Sequence, residues 1–200
     1  MTYKQEVEIK GSKSYKGGAI GFSGPPGTGK STIGKIIADK LNIPFYDLDD
    51  LIAEKANVKT TKKIINNEGL PKFKQIQHLC FKEIFQKDNQ KYVLSFGGHT
   101  TYKGCDPNLI DKNKTLISDN LFNICLIPSD DIKEVVDILW PRQNDGKRET
   151  GSNNAEEYRQ YIQGLMPQYI QSADKVVFTH ASSINDTVST IMNDIIRRKK

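Results

Sequence analysis

Residues 24–32, GPPGTGKST, constrain this 200-residue chain more than any other stretch. So many glycines and prolines bar a helix or strand interior. Before them, residues 18–23 (GAIGFS) read as a short apolar strand. After them, Ile33, Ile36, Ile37 and Leu41 recur at helical spacing. The run matches GxxxxGK[ST], and strand before with helix after is the context that pattern requires. Its glycines let successive backbone N–H groups converge on an anion, and the helix N-terminus adds a positive dipole end. Gly24, Pro25, Pro26, Gly27, Thr28, Gly29, Lys30, Ser31 and Thr32 are therefore expected to cradle a nucleoside triphosphate. Lys30 would reach the β/γ-phosphates and the Ser31 hydroxyl would meet Mg²⁺.

The remainder of the chain alternates strand and helix patterns. Residues 43–47, 91–96, 121–127 and 175–179 read as further strands. Helices are expected over 48–56, 62–66, 73–85, 130–139, 155–166 and 184–198. This alternation argues for an α/β fold with a parallel sheet. Residues 1–17 are polar and Lys-rich and read as an extension, leaving 18–200 as one domain. Residues 140–154, WPRQNDGKRETGSNN, have no apolar period. A loop that long inside a compact domain is uncommon and often works as a lid.

Composition narrows the function class. No apolar run approaches the ~20 residues that span a bilayer, and the N-terminus lacks the apolar core of a secretory signal, so a cytoplasmic location is expected. Cys80, Cys105 and Cys125 lie far apart, without metal-ligand spacing, and read as free thiols. The net charge of +5 is partly gathered in the final Arg-Arg-Lys-Lys, which reads as a solvated helix end. No interleaving of basic and aromatic residues points to nucleic acid. The expected partner is a small molecule, and the expected state a monomer or weak dimer.

The carboxylates at the end of the second major strand are the next constraint. Residues 45–52 read FYDLDDLI. Ligands of open α/β sheets gather at the carboxyl ends of strands. Asp47 and Asp49, two residues apart, can face one side of an extended strand end. One would help to hold Mg²⁺; the other would orient or deprotonate an attacking hydroxyl. The alternative is that Asp49 and Asp50 only cap the next helix.

Together these pieces resemble the shikimate kinase family. The phosphate loop is followed, seventeen residues after Lys30, by Asp47-x-Asp49. Residues 65–74 (INNEGLPKFK) resemble the family's I-F-x-x-x-G-E-x-x-F-R segment. Residues 93–99 (VLSFGGH) resemble its V-L-S-x-G-G-G. Residues 155–174 resemble its R-x-P-L-Y-x-E-x-A-D region. The resemblance implies a three-layer α/β/α P-loop NTPase fold with about five parallel strands. It also implies a substrate-binding helical segment near 48–75 and a lid near 140–154. The implied reaction moves the γ-phosphoryl of ATP, with Mg²⁺, onto a hydroxyl of a small acceptor. Carried over by position, Lys30 and Ser31 serve phosphate and metal, Asp47 supports the metal or a substrate hydroxyl, and Asp49 is the base. Gly97 and Gly98 present backbone to the acceptor. Arg148, or else Arg142, is the lid arginine.

Three positions depart from the pattern, all where the family grips the shikimate carboxylate. The F-R arginine is Lys74, the arginine before x-P-L-Y is Leu165, and the third glycine is His99. Planar bidentate capture of a carboxylate is arginine's chemistry, and lysine is not an equivalent. The sequence therefore leads us to expect a kinase of a small hydroxylated metabolite other than shikimate: a polyol, a sugar-like compound or an amino alcohol. Lys74, His99 and Leu165 would line its acceptor site. A true shikimate kinase is the alternative, followed by another P-loop kinase or a nucleotide-binding protein.

Overall fold

The computed structural model describes residues 7–87, 91–97, 106–143, 152, 154–180 and 182–197. Its strands are β1 (Glu8–Lys10), β2 (Ala19–Ser23), β3 (Phe45–Asp47), β4 (Val93–Ser95), β5 (Leu121–Ile127) and β6 (Lys175–Phe178). Its helices are α1 (Lys30–Leu41), α2 (Leu48–Lys55), α3 (Thr61–Phe85), α4 (Pro107–Asn120), α5 (Ile132–Gln143), α6 (Ala155–Ser172) and α7 (Ile184–Thr190). The last runs into a π-helical stretch, Ile191–Ile196. The sheet order is β1-β6-β5-β2-β4-β3. β2 to β6 are the five expected parallel strands. The sheet is nonetheless six-stranded and mixed, because Glu8–Lys10 of the N-terminal extension pairs antiparallel with β6. A three-residue strand gives too little alternation to be read from sequence alone.

Side-chain alternation along β5 sorts the helices into layers. Ile124 and Leu126 face one way, into a cluster with Ile33 and Ile37 of α1 and Val188 and Ile191 near the C-terminus. Leu121 and Cys125 face the other way. Leu121 joins a cluster built from α2, α3 and α4, including Leu48, Ile52, Phe73 and Phe81. Cys125 joins one built from α5 and α6, including Leu139, Tyr158, Leu165 and Tyr169. Two helix groups thus share one sheet face.

A buried hydrogen-bond hub pins that seam. Asn123 accepts from Ser23 Oγ at 2.9 Å and donates through Nδ2 to the Ser172 carbonyl at 2.9 Å. Its own N–H donates to Asp174 Oδ2 at 2.8 Å. Satisfying these polar groups avoids the cost of leaving them unpaired away from water.

α3 joins the two helices expected over 62–66 and 73–85, and α4, α5 and α6 also differ from their sequence expectations. α4 was not anticipated, yet Asp106 caps it by accepting from the Asn108 N–H at 3.0 Å, with Pro107 at its first turn. α5 continues past Pro141 to Gln143, and α6 continues through Pro167 to Ser172. Proline removes an intrahelical hydrogen bond, but packing on both sides of each proline outweighs that loss. Tyr169, beyond Pro167, is buried. Trp140 lies against Tyr158, ring centroids 5.5 Å apart, tying α5 to α6.

Candidate active site

The phosphate loop joins β2 to α1. Gly24 has φ +135°, and a Cβ there would collide with the Leu126 carbonyl, so only glycine lets the loop pass β5 this closely. Thr28 Oγ1 donates to the Pro25 carbonyl at 3.0 Å, and Lys30 Nζ reaches the same carbonyl at 2.9 Å. α1 begins immediately after Gly29, with no side-chain cap on its first N–H groups. Open N–H groups at a helix start are anion-binding groups. The end of α5 clasps the loop from outside. Arg142 Nη1 donates to the Gly27 carbonyl at 2.9 Å and Gln143 Nε2 to the Pro26 carbonyl at 3.1 Å.

Strand register then builds the metal end. Asp47 stands beside Ser95 across the β3–β4 pair, and Ser95 beside Phe22 across β4–β2. Ser31 Oγ donates to Asp47 Oδ2 at 2.6 Å and lies 3.1 Å from Ser95 Oγ. Mg²⁺ is usually held by one or two carboxylates plus substrate phosphates and water. Ser31 and Asp47 beside the phosphate cradle fit that donor set, and bound Mg²⁺ would neutralise charge on the phosphates. Ser95 is the member of this group that the sequence reading did not single out. The signal for it was its place at the carboxyl end of a strand next to β2.

Asp47 also settles how the next helix is capped. Its Oδ1 accepts from the Asp49 N–H at 3.0 Å, making Asp47 the N-cap of α2. The side chain of Asp49 is therefore not the cap of α2. Asp49 is reached by solvent, but the groups crowding it raise its pKa to about 6. The causes, in order, are loss of hydration and the charge of Asp47, partly offset by Lys30, with Asp50 adding a little. A carboxylate near that value is well matched to proton transfer at neutral pH.

The acceptor-side positions have different surroundings. Gly97 lies just past β4, with open space where a Cβ would stand. Lys74, in the second half of α3, is only 2% exposed, and its Nζ donates to Gln77 Oε1 at 3.3 Å. Leu165 is 1% exposed, inside the apolar cluster of α5 and α6. Gly98, His99 and Arg148 lie outside the described residues. His78 bridges α3 to α4 through Nδ1 and Asn113 Oδ1, 2.7 Å apart. Cys80 and Cys125 are buried free thiols, and burial raises the Cys125 pKa to about 12.

Comparison with known proteins agrees with this geometry. The family model for shikimate kinase matches residues 26–196. A shikimate kinase from a Sulfurihydrogenibium species is 36% identical over 98 residues, 49% of this chain and 55% of that protein. One from Staphylococcus aureus is 28% identical over 176 residues, covering 87% of this chain and 90% of the relative. A solved structure of shikimate kinase from Acinetobacter baumannii in complex with shikimate superposes with a TM-score of 0.73 at 21% identity. That match covers 88% of this chain and 90% of that one and speaks to the fold. With the phosphate loop, the Ser31–Asp47 pair and Asp49 in place, the chain belongs to the shikimate kinase family of ATP- and Mg²⁺-dependent small-molecule kinases.

Proposed function

We propose that this chain transfers the γ-phosphoryl of ATP to a hydroxyl of a small polyol-like metabolite other than shikimate. The loop from Gly24 to Thr32 holds the phosphates, with Lys30 beside the β/γ-phosphates and Ser31 and Asp47 at the metal position. Asp49 accepts the proton of the attacking hydroxyl as the new P–O bond forms and ADP leaves. Gly97, Gly98 and His99 line the acceptor side, and Arg148 or Arg142 stabilises charge on the transferring group. In this reading residues 18–200 form one kinase domain, with an acceptor segment over 48–75 and a lid within 140–154. It works in the cytoplasm as a monomer or weak dimer.

The observation that carries the choice of acceptor is Leu165. At the position where the family pattern has an arginine, this chain has an apolar side chain packed among Tyr158, Ile162 and Met166. Lys74 keeps a charge but is enclosed within α3 and lacks arginine's planar fork. A charged hydrogen bond is worth roughly 1.5–3 kcal/mol. Two weakened contacts would therefore lower affinity for a carboxylate by about 100- to 10,000-fold. Shikimate itself is the second reading, favoured by the names of the relatives. MgATP turnover, read as ADP release, should be measured against shikimate, sugars, cyclitols and amino alcohols. The proposal expects an uncharged acceptor to have the highest kcat/KM. Efficient, saturable turnover of shikimate at micromolar concentration would overturn it.

A further inference from the structure

Residues 7–17 of the extension precede the stretch that the family model matches, yet they are bound into the sheet. Ile9 stands opposite Val177 across β1–β6. The chain then turns at Gly11, whose φ is +115°, and a Cβ there would collide with the Asp174 carbonyl. Only glycine lets the turn sit this close. Lys175 Nζ donates to the Gly11 carbonyl, and Lys13 Nζ lies 2.5 Å from Asp174 Oδ1. Tyr15 packs against Phe122, ring centroids 5.5 Å apart, and its hydroxyl donates to the Gly18 carbonyl at 2.8 Å. The extension thus grips β5 and β6 at their amino ends, beside Asn123 and Asp174.

Asp174 carries that grip inward. Its side chain is 11% exposed; Oδ1 faces Lys13, and Oδ2 accepts from the Asn123 N–H. The Asp174 N–H donates back to the Asn123 carbonyl at 2.9 Å. Asn123, 1% exposed, accepts in turn from Ser23 Oγ, and Ser23 is the last residue of β2. Next comes Gly24, pressed onto the Leu126 carbonyl where the phosphate loop begins. One line of contacts therefore runs from the extension to the loop through Lys13, Asp174, Asn123, Ser23 and Gly24. The other residues of β2 and β5 are apolar. Apolar residues at 23 and 123 would fill the strands without burying polar groups. A buried polar network whose members are satisfied fixes one geometry. The geometry fixed here is the exit of β2 into the loop, and with it the direction of the loop's N–H groups.

We infer that Ser23 and Asn123 are positioning residues for the phosphate loop, and that the N-terminal extension holds them in place through Gly11, Lys13 and Asp174. They act on nucleotide binding through Gly24, and the choice of acceptor does not enter.

The test is a double-mutant cycle in the full chain, Gly11→Ala with Ser23→Ala. It is read as the dissociation constant of MgADP by calorimetry, beside the unliganded melting temperature. Ser23→Ala removes the donor to Asn123 and should weaken MgADP binding about 5- to 10-fold, the scale of one lost hydrogen bond. Ser23→Thr keeps the hydroxyl and should recover most of that loss. Gly11→Ala unseats the turn from Asp174 and should weaken binding about 2- to 5-fold. Residues with no shared partner ordinarily have additive effects; here the double variant should bind like Ser23→Ala alone. Lys13→Met, at an exposed side chain, replaces Gly11→Ala in the cycle if that variant does not fold, with the same expectation. Unchanged MgADP affinity in Ser23→Ala, whatever its melting temperature, overturns the positioning role, because the hydroxyl then serves only the fold. A threonine variant as weak as the alanine one overturns it too. Additive effects overturn the part given to the extension.

Discussion

In the proposed mechanism Asp49 is the residue on which the chemistry turns, and its environment has consequences in two directions. For catalysis, a base with a pKa near 6 must be ionised to act. Turnover should therefore fall as pH drops through about 6 and level off above it. Asp49→Asn should lower kcat by about 100- to 10,000-fold while MgATP still binds. For stability the sign is opposite to that of a salt-bridged carboxylate. The folded chain holds this proton more tightly than the unfolded chain, whose aspartates titrate near 4. The contribution of Asp49 to stability is thus most favourable at low pH and declines as pH rises from about 4 through about 6. Asp49→Asn removes that decline, so the variant should gain in melting temperature over wild type at pH 8 and not at pH 4. Near-normal turnover in the variant would remove Asp49 from the role of base.

At the scale of elements, the site was legible where a local pattern carried it. The phosphate loop needs particular residues within nine positions, and Asp47 and Asp49 follow a strand end, so both could be located without coordinates. Ser95 could not. Ser95 reaches Ser31 only through the register of β4 beside β2 and β3. The ends of α5 and α6 lay beyond the local sequence pattern for a related reason. Pro141 and Pro167 weaken their helices locally, and packing that local sequence does not display holds them together. α3 shows the converse, since its two halves join at Gly69 with φ 83° and ψ 167°, a conformation open in practice only to glycine. A Cβ there would meet nothing closer than Pro71 Cδ at 3.6 Å, so the cost of a side chain is conformational and not steric crowding. Gly69→Ala should lower stability by about 1–3 kcal/mol. Gly164→Ala, in the interior of α6 with open space around its Cβ, should raise it by about 0.5–1 kcal/mol. Denaturant midpoints measure both, and equal shifts would contradict this account of the α3 junction.

On the scale of the whole molecule, one sheet presents two halves of a site with different degrees of departure from the family. The donor half is assembled by strand register around β2, and its Gly24, Lys30, Ser31 and Asp47 keep the pattern. In the proposed reading the acceptor half draws on the two helix groups that share a single sheet face. There, Leu165 is part of a packed interior and Lys74 is enclosed. A fold of this kind lets specificity change on the helices without disturbing the phosphate loop, because the two halves draw on different elements. The most direct measurement of that claim is the dissociation constant of shikimate for the full chain saturated with MgADP, by calorimetry. The account predicts binding in the millimolar range or weaker; a micromolar constant would contradict it.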